Sequence, residues 1–189
     1  NGEKSYIEIG DSNTIREYVS INPGTDGGGG LTKIGNNCLF MVSSHVAHDC
    51  TIGDNVVAVN NVAIGGHVHV DDNAIIGGNS AVHQFIRIGK FAMIGGMCAV
   101  IRDVIPYGLV YGNRSVLQGI NLIGLRRNNI SNQDIALLGK AYKEIFKSEK
   151  LSENLKDLSE EFKNNNLVIE ILKFIQKDKK RPICTPFLK

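Results

Sequence analysis

From Ile34 onward, apolar residues return at every sixth position. The chain divides into IGNNCL, FMVSSH, VAHDCT, IGDNVV, AVNNVA, IGGHVH, VDDNAI, IGGNSA, VHQFIR, IGKFAM, IGGMCA and VIRDVI. All first positions are apolar, and the fifth positions, such as Cys38, Ser44, Cys50, Val56 and Ala74, are mostly small. A helix needs apolar spacing near 3.6 and a half-buried strand a spacing of about 2. A sustained period of six fits neither. It predicts short flat strands with a corner every six residues, three hexapeptides completing one turn of a triangular solenoid. Position one then fills the lumen and position five fits its corner. Stacked coils pair their strands about 4.8 Å apart. Residues 34–105 hold four such coils, each burying its faces on its neighbours.

An earlier run, IGDSNT and IREYVS from Ile9, keeps the period in a shifted phase, and the segment 22–33, NPGTDGGGGLTK, absorbs the shift. No Met stands at position 1 and the pattern is already under way at Asn1. We therefore expect a fragment or processed chain whose N-terminal coils are missing. The GGGG at 27–30 suggests a phosphate cradle, but a Walker loop needs Ser or Thr after its lysine, and Lys33 is followed by Ile34. The expectation is a flexible loop thrown out from the solenoid, toward a neighbouring subunit.

The repeat stops near Pro106, and after Ser131 the period becomes helical. Ser131 and Asp134 stand at capping-box spacing, followed by Ile135, Leu138, Tyr142 and Ile145 on one stripe. A second helix is expected from Ser152 through Leu155, Leu158 and Phe162. A third is expected over Leu167 to Lys177, with Asn164, Asn165 and Asn166 as the break before it. Lys177, Lys179 and Lys180 at its end suit the helix dipole, and the tail RPICTPFLK reads as extended. The predicted fold is an all-β solenoid of hexapeptide repeats over residues 1–120 with a C-terminal α-helical cap over 121–189.

Composition changes this picture little. Charged residues make up 21% and hydrophobic ones 42%, a globular balance. The net charge of +2 is too small to argue for a nucleic-acid partner. No apolar run approaches the roughly 18 residues of a membrane span. The four cysteines form no CxxC pair, which points to a reducing, cytoplasmic compartment. Cys38, Cys50 and Cys98 take the inward fifth position, where a small hydrophobe is wanted.

A lumen packed with Ile, Val and Cys leaves no room for a pocket, so chemistry belongs on the outer faces, where flat-sided prisms meet around a threefold axis. The stretch SSHVAHDC, residues 43–50, could be a metal site, a catalytic base or ordinary core. His45 and His48 fall in different phases of the repeat and should not converge on one ion. At a rise of one coil per 18 residues, His48 stacks under Gly66, and Gly66 under Gln84, with His67, His83 and Phe85 alongside. That is an external ridge about 10 Å tall. A solvated face needs no cluster of imidazoles, although each histidine taken alone reads equally as a surface residue. His45 and His69 read as surface or interface positions. Zinc needs a third neighbouring imidazole in matching phase, which the spacing does not supply. No metal or other cofactor is implied.

The stretches GGGLTKIG, HVAHDCTIGDN, AIGGHVHVDDNAIIGGNSAVHQF and GLRR, the last followed by a helical cap, are similar to the UDP-N-acetylglucosamine O-acyltransferase family. The resemblance covers nearly the whole chain. It implies a left-handed parallel β-helix, an exception to the usual right-handed crossover. It also implies a cytoplasmic homotrimer with sites between subunits, acting first in lipid A synthesis. That enzyme moves an R-3-hydroxyacyl chain from acyl carrier protein to the sugar 3-hydroxyl of UDP-N-acetylglucosamine. By motif, His48 resembles the general base and the Gly66 N–H the oxyanion donor. His45, Asp49, His67, His83 and Gln84 resemble substrate-binding positions, and Asn121 and Arg127 nucleotide-binding ones. Gly96, with Met93 near it, resembles the position that limits acyl length. Two departures stand out: Arg114 where a histidine is expected, and Asn128 where a further basic residue is frequent. The rival readings are the related N-acyltransferase of the same pathway, which lacks this cap and GLRR, a zinc hexapeptide-repeat enzyme, and a noncatalytic solenoid scaffold.

Overall fold

The computed structural model describes residues 2, 4–177 and 181–187. Its first coil is β1 (Tyr6–Ile9), β2 (Thr14–Ile15) and β3 (Ser20–Ile21). The next is β4 (Leu31–Ile34), β5 (Leu39–Phe40) and β6 (His45–Val46), followed by β7 (Thr51–Ile52), β8 (Val57–Ala58) and β9 (Ala63–Ile64). Then come β10 (His69–Val70), β11 (Ile75–Ile76) and β12 (Ala81–Val82), and β13 (Arg87–Ile88), β14 (Met93–Ile94) and β15 (Ala99–Val100). Each coil lays one strand on each of three parallel sheets. The first is β1-β4-β7-β10-β13, the second runs through β2, β5, β8, β11 and β14, and the third is β3-β6-β9-β12-β15. Register repeats every coil: Ile34 pairs Ile52, Ile52 pairs Val70, and Val70 pairs Ile88.

The period translates directly into burial. Every first-position residue from Ile34 to Val100 and every fifth-position residue from Cys38 to Val104 is buried. The corners between strands sit at positive φ, and Asn37, Asn55, Asn61, Asn73 and Asn79 occupy several of them, asparagine being among the few residues that tolerate this conformation. A ladder of side chains ties successive corners together. The Asp54 carboxylate accepts the Asn36 N–H at 2.7 Å, and the Asp72 carboxylate accepts the Asp54 N–H at 2.8 Å. In the first coil Ile9 and Ile15 take the same register, opposite Ile34 and Phe40. They remain 45% and 46% exposed, because no described coil stacks beneath them.

One inward position is chemically wrong for its surroundings. Ser44 is 1% exposed and its Oγ has no hydrogen-bond partner among the described residues. A buried hydroxyl left unpaired costs about 1–3 kcal/mol. Ser44→Ala should therefore raise the unfolding free energy by about 1 kcal/mol in a denaturant titration; a loss of stability would contradict the lumen assignment of this side chain.

The solenoid ends in a feature that the hexapeptide period does not announce. β16 (Gly108–Tyr111) pairs parallel with β14, and β17 (Val116–Ile120) returns antiparallel on β16. Helix α1 (Leu122–Arg127), also unforeseen, follows at once, with the Asn121 side chain accepting the Gly124 N–H at its start. Helix α2 (Asn132–Ile145) forms as expected: Ser131 Oγ accepts the Asp134 N–H, and Ile135, Leu138, Ala141 and Ile145 are buried.

The expected second helix is in fact two, α3 (Leu151–Lys156) and α4 (Glu160–Lys163). Ser159 has extended backbone between them and restarts the chain with Glu160 and Glu161 in the new first turn, where acidic residues suit the helix dipole. Helix α5 (Asn166–Lys177) begins inside the expected break, because Asn165 Oδ1 caps it by accepting the Leu167 N–H at 3.0 Å. Lys179 and Lys180 lie outside the described residues.

Polar contacts bind the cap to the solenoid. Glu170 of α5 accepts hydrogen bonds from Lys90 Nζ, at 2.6 Å, and from the hydroxyl of fully buried Tyr107. Arg87 pairs with buried Asp103 at 2.7 Å and donates to the Phe174 carbonyl at 3.1 Å. The tail is extended, with Ile183 bridged to Asp103. Cys184 is fully buried there, so it is a packing residue rather than a bystander.

Candidate active site

The corner between β6 and β7 carries His48 and Asp49. Asp49 takes the positive-φ position, with φ 59°. Its N–H is held by Thr32 Oγ1 at 2.8 Å, and Thr32 is fully buried. This turns the carboxylate inward and behind His48, to 1% side-chain exposure. Asp49 Oδ2 accepts His48 Nδ1 at 2.8 Å and Thr25 Oγ1 at 2.6 Å, while Oδ1 accepts the Thr25 N–H at 2.8 Å.

Burial pushes the Asp49 carboxyl up, but the Thr25 hydrogen bonds, His48 and His67 together outweigh it and hold the group below its ordinary value. It is therefore ionised at neutral pH. A carboxyl depressed in the folded state contributes stability that is lost as the pH falls through its folded value, so acid should loosen this corner. An ionised Asp49 can only accept at this contact, so it favours the neutral tautomer with the proton on His48 Nδ1 and the lone pair on Nε2. The His48 side chain is 42% exposed and can meet a ligand.

The glycine-rich segment, expected as a loop thrown out from the solenoid, is anchored at this corner of its own chain. It forms a 3-10 turn at Asp26–Gly28 and folds back on its own chain, because Thr25 is pinned to Asp49. A Cβ on Gly28 would overlap the Asp49 carboxyl group. Neither Thr25 nor Gly28 is marked by the hexapeptide period. The only sequence signal was the break in phase at residues 22–33.

Gly66 lies one coil above His48, as the stacking predicts. A Cβ there would meet His48 Nε2 and Cε1 at 2.7 Å, so only glycine lets the imidazole rest on this backbone. Among the described residues the Gly66 N–H donates to no protein acceptor. His67, at the corner above Asp49, places Nε2 4.0 Å from Asp49 Oδ2, with its ring edge-on to His48 at 5.0 Å. Its other face stacks on Phe85 at 4.4 Å. His45 bonds Ser20 Oγ through Nδ1 at 2.8 Å. His83 and Gln84 are exposed on the next coil, with His83 Nδ1 against the Gln84 carbonyl. His69 stands apart, paired with Asp71.

The structure brings His48, Asp49 and His67 closer than their spacing suggests, with ligating atoms within 4.8 Å of one another. Among the described residues no third imidazole joins them. Both Asp49 oxygens are already engaged by Thr25, which is the arrangement of an acid that orients an imidazole. Cys50 faces the lumen, and burial pushes its thiol up to about 11, which leaves no thiolate for attack at neutral pH.

The remaining candidates lie on or beside the second sheet. Met93, Asn121 and Arg127 line one cleft of about 470 Å³, together with Tyr111, Leu122 and Ile123. Arg127 is exposed, whereas Asn121 uses its side chain to cap α1 and to donate to the Phe91 carbonyl at 2.9 Å. Arg114 and Asn128 are exposed, and Asn128 donates to the Gly124 carbonyl. Gly96 sits at the corner between the second and third sheets, directly over Gly78, whose carbonyl would lie 3.2 Å from a Cβ on Gly96. Between this corner and the His48 corner spans the third sheet, where His45, Ala63, Ala81 and Ala99 follow one another in register.

Two family models match the chain. Residues 31–57 fit the bacterial transferase hexapeptide repeat, and residues 103–184 fit domain 2 of UDP-N-acetylglucosamine O-acyltransferase. The acyl-[acyl-carrier-protein]--UDP-N-acetylglucosamine O-acyltransferase of Caulobacter vibrioides is 54% identical over 98% of this chain and 71% of its own length. That of Rickettsia canadensis is 51% identical over 96% of this chain and 69% of its own. The Francisella novicida UDP-N-acetylglucosamine acyltransferase structure superposes with a TM-score of 0.92 at 34% identity, covering 98% of this chain and 68% of that one. With this much identity over nearly its full length, and with the solenoid and helical cap in place, the chain belongs to the UDP-N-acetylglucosamine O-acyltransferase family.

Proposed function

We propose that the chain transfers an R-3-hydroxyacyl group from acyl carrier protein to the 3-hydroxyl of UDP-N-acetylglucosamine, in lipid A synthesis, by direct attack. The observation that carries this reading is His48 held through Nδ1 by ionised Asp49, with Nε2 packed on the backbone of Gly66. His48 Nε2 takes the proton as the sugar oxygen attacks the thioester carbon. The tetrahedral oxyanion is met by the Gly66 N–H. The intermediate collapses with C–S cleavage, and the proton passes from His48 to the departing thiolate. The test is to supply acyl carrier protein thioester and UDP-N-acetylglucosamine to the full-length protein and look for acylated sugar. A protein that forms none overturns the reading.

The division of the site supports a homotrimer, and a cytoplasmic location belongs to the same proposal. His48 stands between the third and first sheets, whereas the Arg127 cleft opens on the second. One chain does not bring them face to face, and a neighbouring copy presenting its cleft to this corner completes the site. Among the described residues no helix is long and apolar enough to cross a membrane.

For the donor we propose a long chain of the hydroxymyristoyl type. The alanine face from His48 ends at Gly78 and Gly96, with exposed Met97 beside them, and each methylene buried along it adds about 0.8 kcal/mol. Gly96→Met should shift preference toward donors several carbons shorter without disabling His48. A competition assay across graded 3-hydroxyacyl donors reads this directly, and an unchanged ranking would reduce Gly96 to a corner glycine.

A further inference from the structure

Asp49, His67 and Phe85 occupy the same corner on three successive coils, with φ of 59°, 59° and 65°. Positive φ is unfavourable for a bulky aromatic residue, and asparagine is the commonest occupant of comparable corners. Where Phe91 and Tyr107 stand at such positions, burial compensates: Tyr107 is fully buried and Phe91 packs against the core. Phe85 has no such compensation, being 47% exposed. Tyr18 and Met97 are exposed at corners too, but neither lies against a neighbouring ring among the described residues. Phe85 gains a stack. Its ring lies parallel to the His67 imidazole, at 4° and 4.4 Å.

Arg181 of the C-terminal tail also reaches this ring, which stays 47% exposed. Asp103, one coil above Phe85, donates its N–H to the Pro182 carbonyl at 2.9 Å and accepts the Cys184 N–H at 2.8 Å. This clamp sets the Arg181 guanidinium 5.7 Å from the Phe85 centroid, within cation–π range. A single column therefore runs from the tail through Arg181, Phe85 and His67 to Asp49 and His48.

We propose that Phe85, held by Arg181 of the tail, is a positioning residue for acyl transfer. It locks the His67 ring edge-on to His48 and beside Asp49, and so keeps the base in its reacting orientation. Positive φ is the rule at these corners; what sets Phe85 apart is an exposed ring stacked on His67 beside the site. The proposal rests on the reading of the His48 corner as the acyl-transfer site.

Phe85→Asn is the decisive variant, because asparagine suits the corner and a variant that simply unfolds is not expected. In the full-length protein its thermal midpoint should equal or exceed that of wild type, while kcat falls about tenfold, in keeping with the sensitivity of catalysis to small misplacements. KM for both substrates should stay within about twofold, the pattern of an interaction that acts on turnover. Phe85→Tyr, which keeps the ring, should restore kcat. Arg181→Ala should lower kcat about threefold, since it removes one layer of the column rather than its centre.

Histidine-labelled protein supplies an independent readout. The His67 ring protons should be shifted upfield in wild type by the stacked phenyl and return to ordinary positions in Phe85→Asn. Unchanged kcat, unchanged His67 resonances, or a kcat loss that tracks a fallen thermal midpoint would each overturn the proposal. Failure of the acyl-transfer reading shows separately, as activity retained in His48→Ala, and the resonance measurement decides the stack in either case.

Discussion

His48→Ala loses acyl transfer by about 10²–10⁴-fold, the usual worth of a general base, and the protein stays folded. The imidazole is external, and its removal leaves every inward residue of the corner in place. Its loss strips the sugar hydroxyl of its proton acceptor. The Gly66 N–H stays available for the oxyanion, so a residual rate above background is expected. Asp49→Asn should be less severe. Nε2 remains, but the group that sets the tautomer and stabilises the imidazolium is neutral. Initial rates with saturating donor, alongside a thermal melt, separate chemistry from folding. His48→Ala protein that keeps more than about a tenth of wild-type turnover would remove His48 from the mechanism, since that loss is smaller than general-base removal produces.

Arg87→Met costs about 3–5 kcal/mol of stability, because it removes the guanidinium that balances a buried carboxylate. Asp103 is 1% exposed, and Arg87 meets it with the guanidinium as well as the backbone N–H. The same guanidinium donates to the Phe174 carbonyl and lies 4.3 Å from the Phe174 ring, so the substitution also loosens α5. At about 2–4 °C per kcal/mol for a chain of this size, the midpoint should fall by roughly 6–20 °C. The double variant Arg87→Met, Asp103→Leu should recover most of the loss, since replacing both members of a buried pair by apolar groups is often near neutral. Failure of the double variant to recover would show that the hydrogen bond from the Arg87 backbone N–H to the Asp103 carboxylate, which leucine cannot accept, matters more than the ion pair.

The solenoid was legible because each hexapeptide declares its own inward side. Ile52 and Val56 are buried for the same local reason as Val70 and Ala74 one coil above them, and no distant residue is needed to say so. The α2 helix was legible for a similar reason, its cap and stripe lying within a few residues. The split between α3 and α4 was not, since Leu155, Leu158 and Phe162 keep helical spacing across a backbone that turns extended at Ser159. At the site, stacking arithmetic placed Gly66 over His48, while the role of His48 came chiefly from the resemblance. Thr25, Gly28 and the part played by Phe85 went unread: two sit in a segment without period, and the third looks like one more irregular corner.

The sequence by itself therefore determined the coil, the identity of its lumen and the ridge on which His48, Gly66 and Gln84 align. These follow from a repeat in which every unit needs only a like neighbour to bury its face. Only the tertiary structure decided that the glycine loop folds back to pin Asp49, that the tail sets Arg181 over Phe85, and that the Arg127 cleft opens on a different sheet from His48. Those arrangements depend on where non-repeating segments return through space, and a hydrogen bond or ring contact across such a return leaves no periodic trace in the chain that makes it.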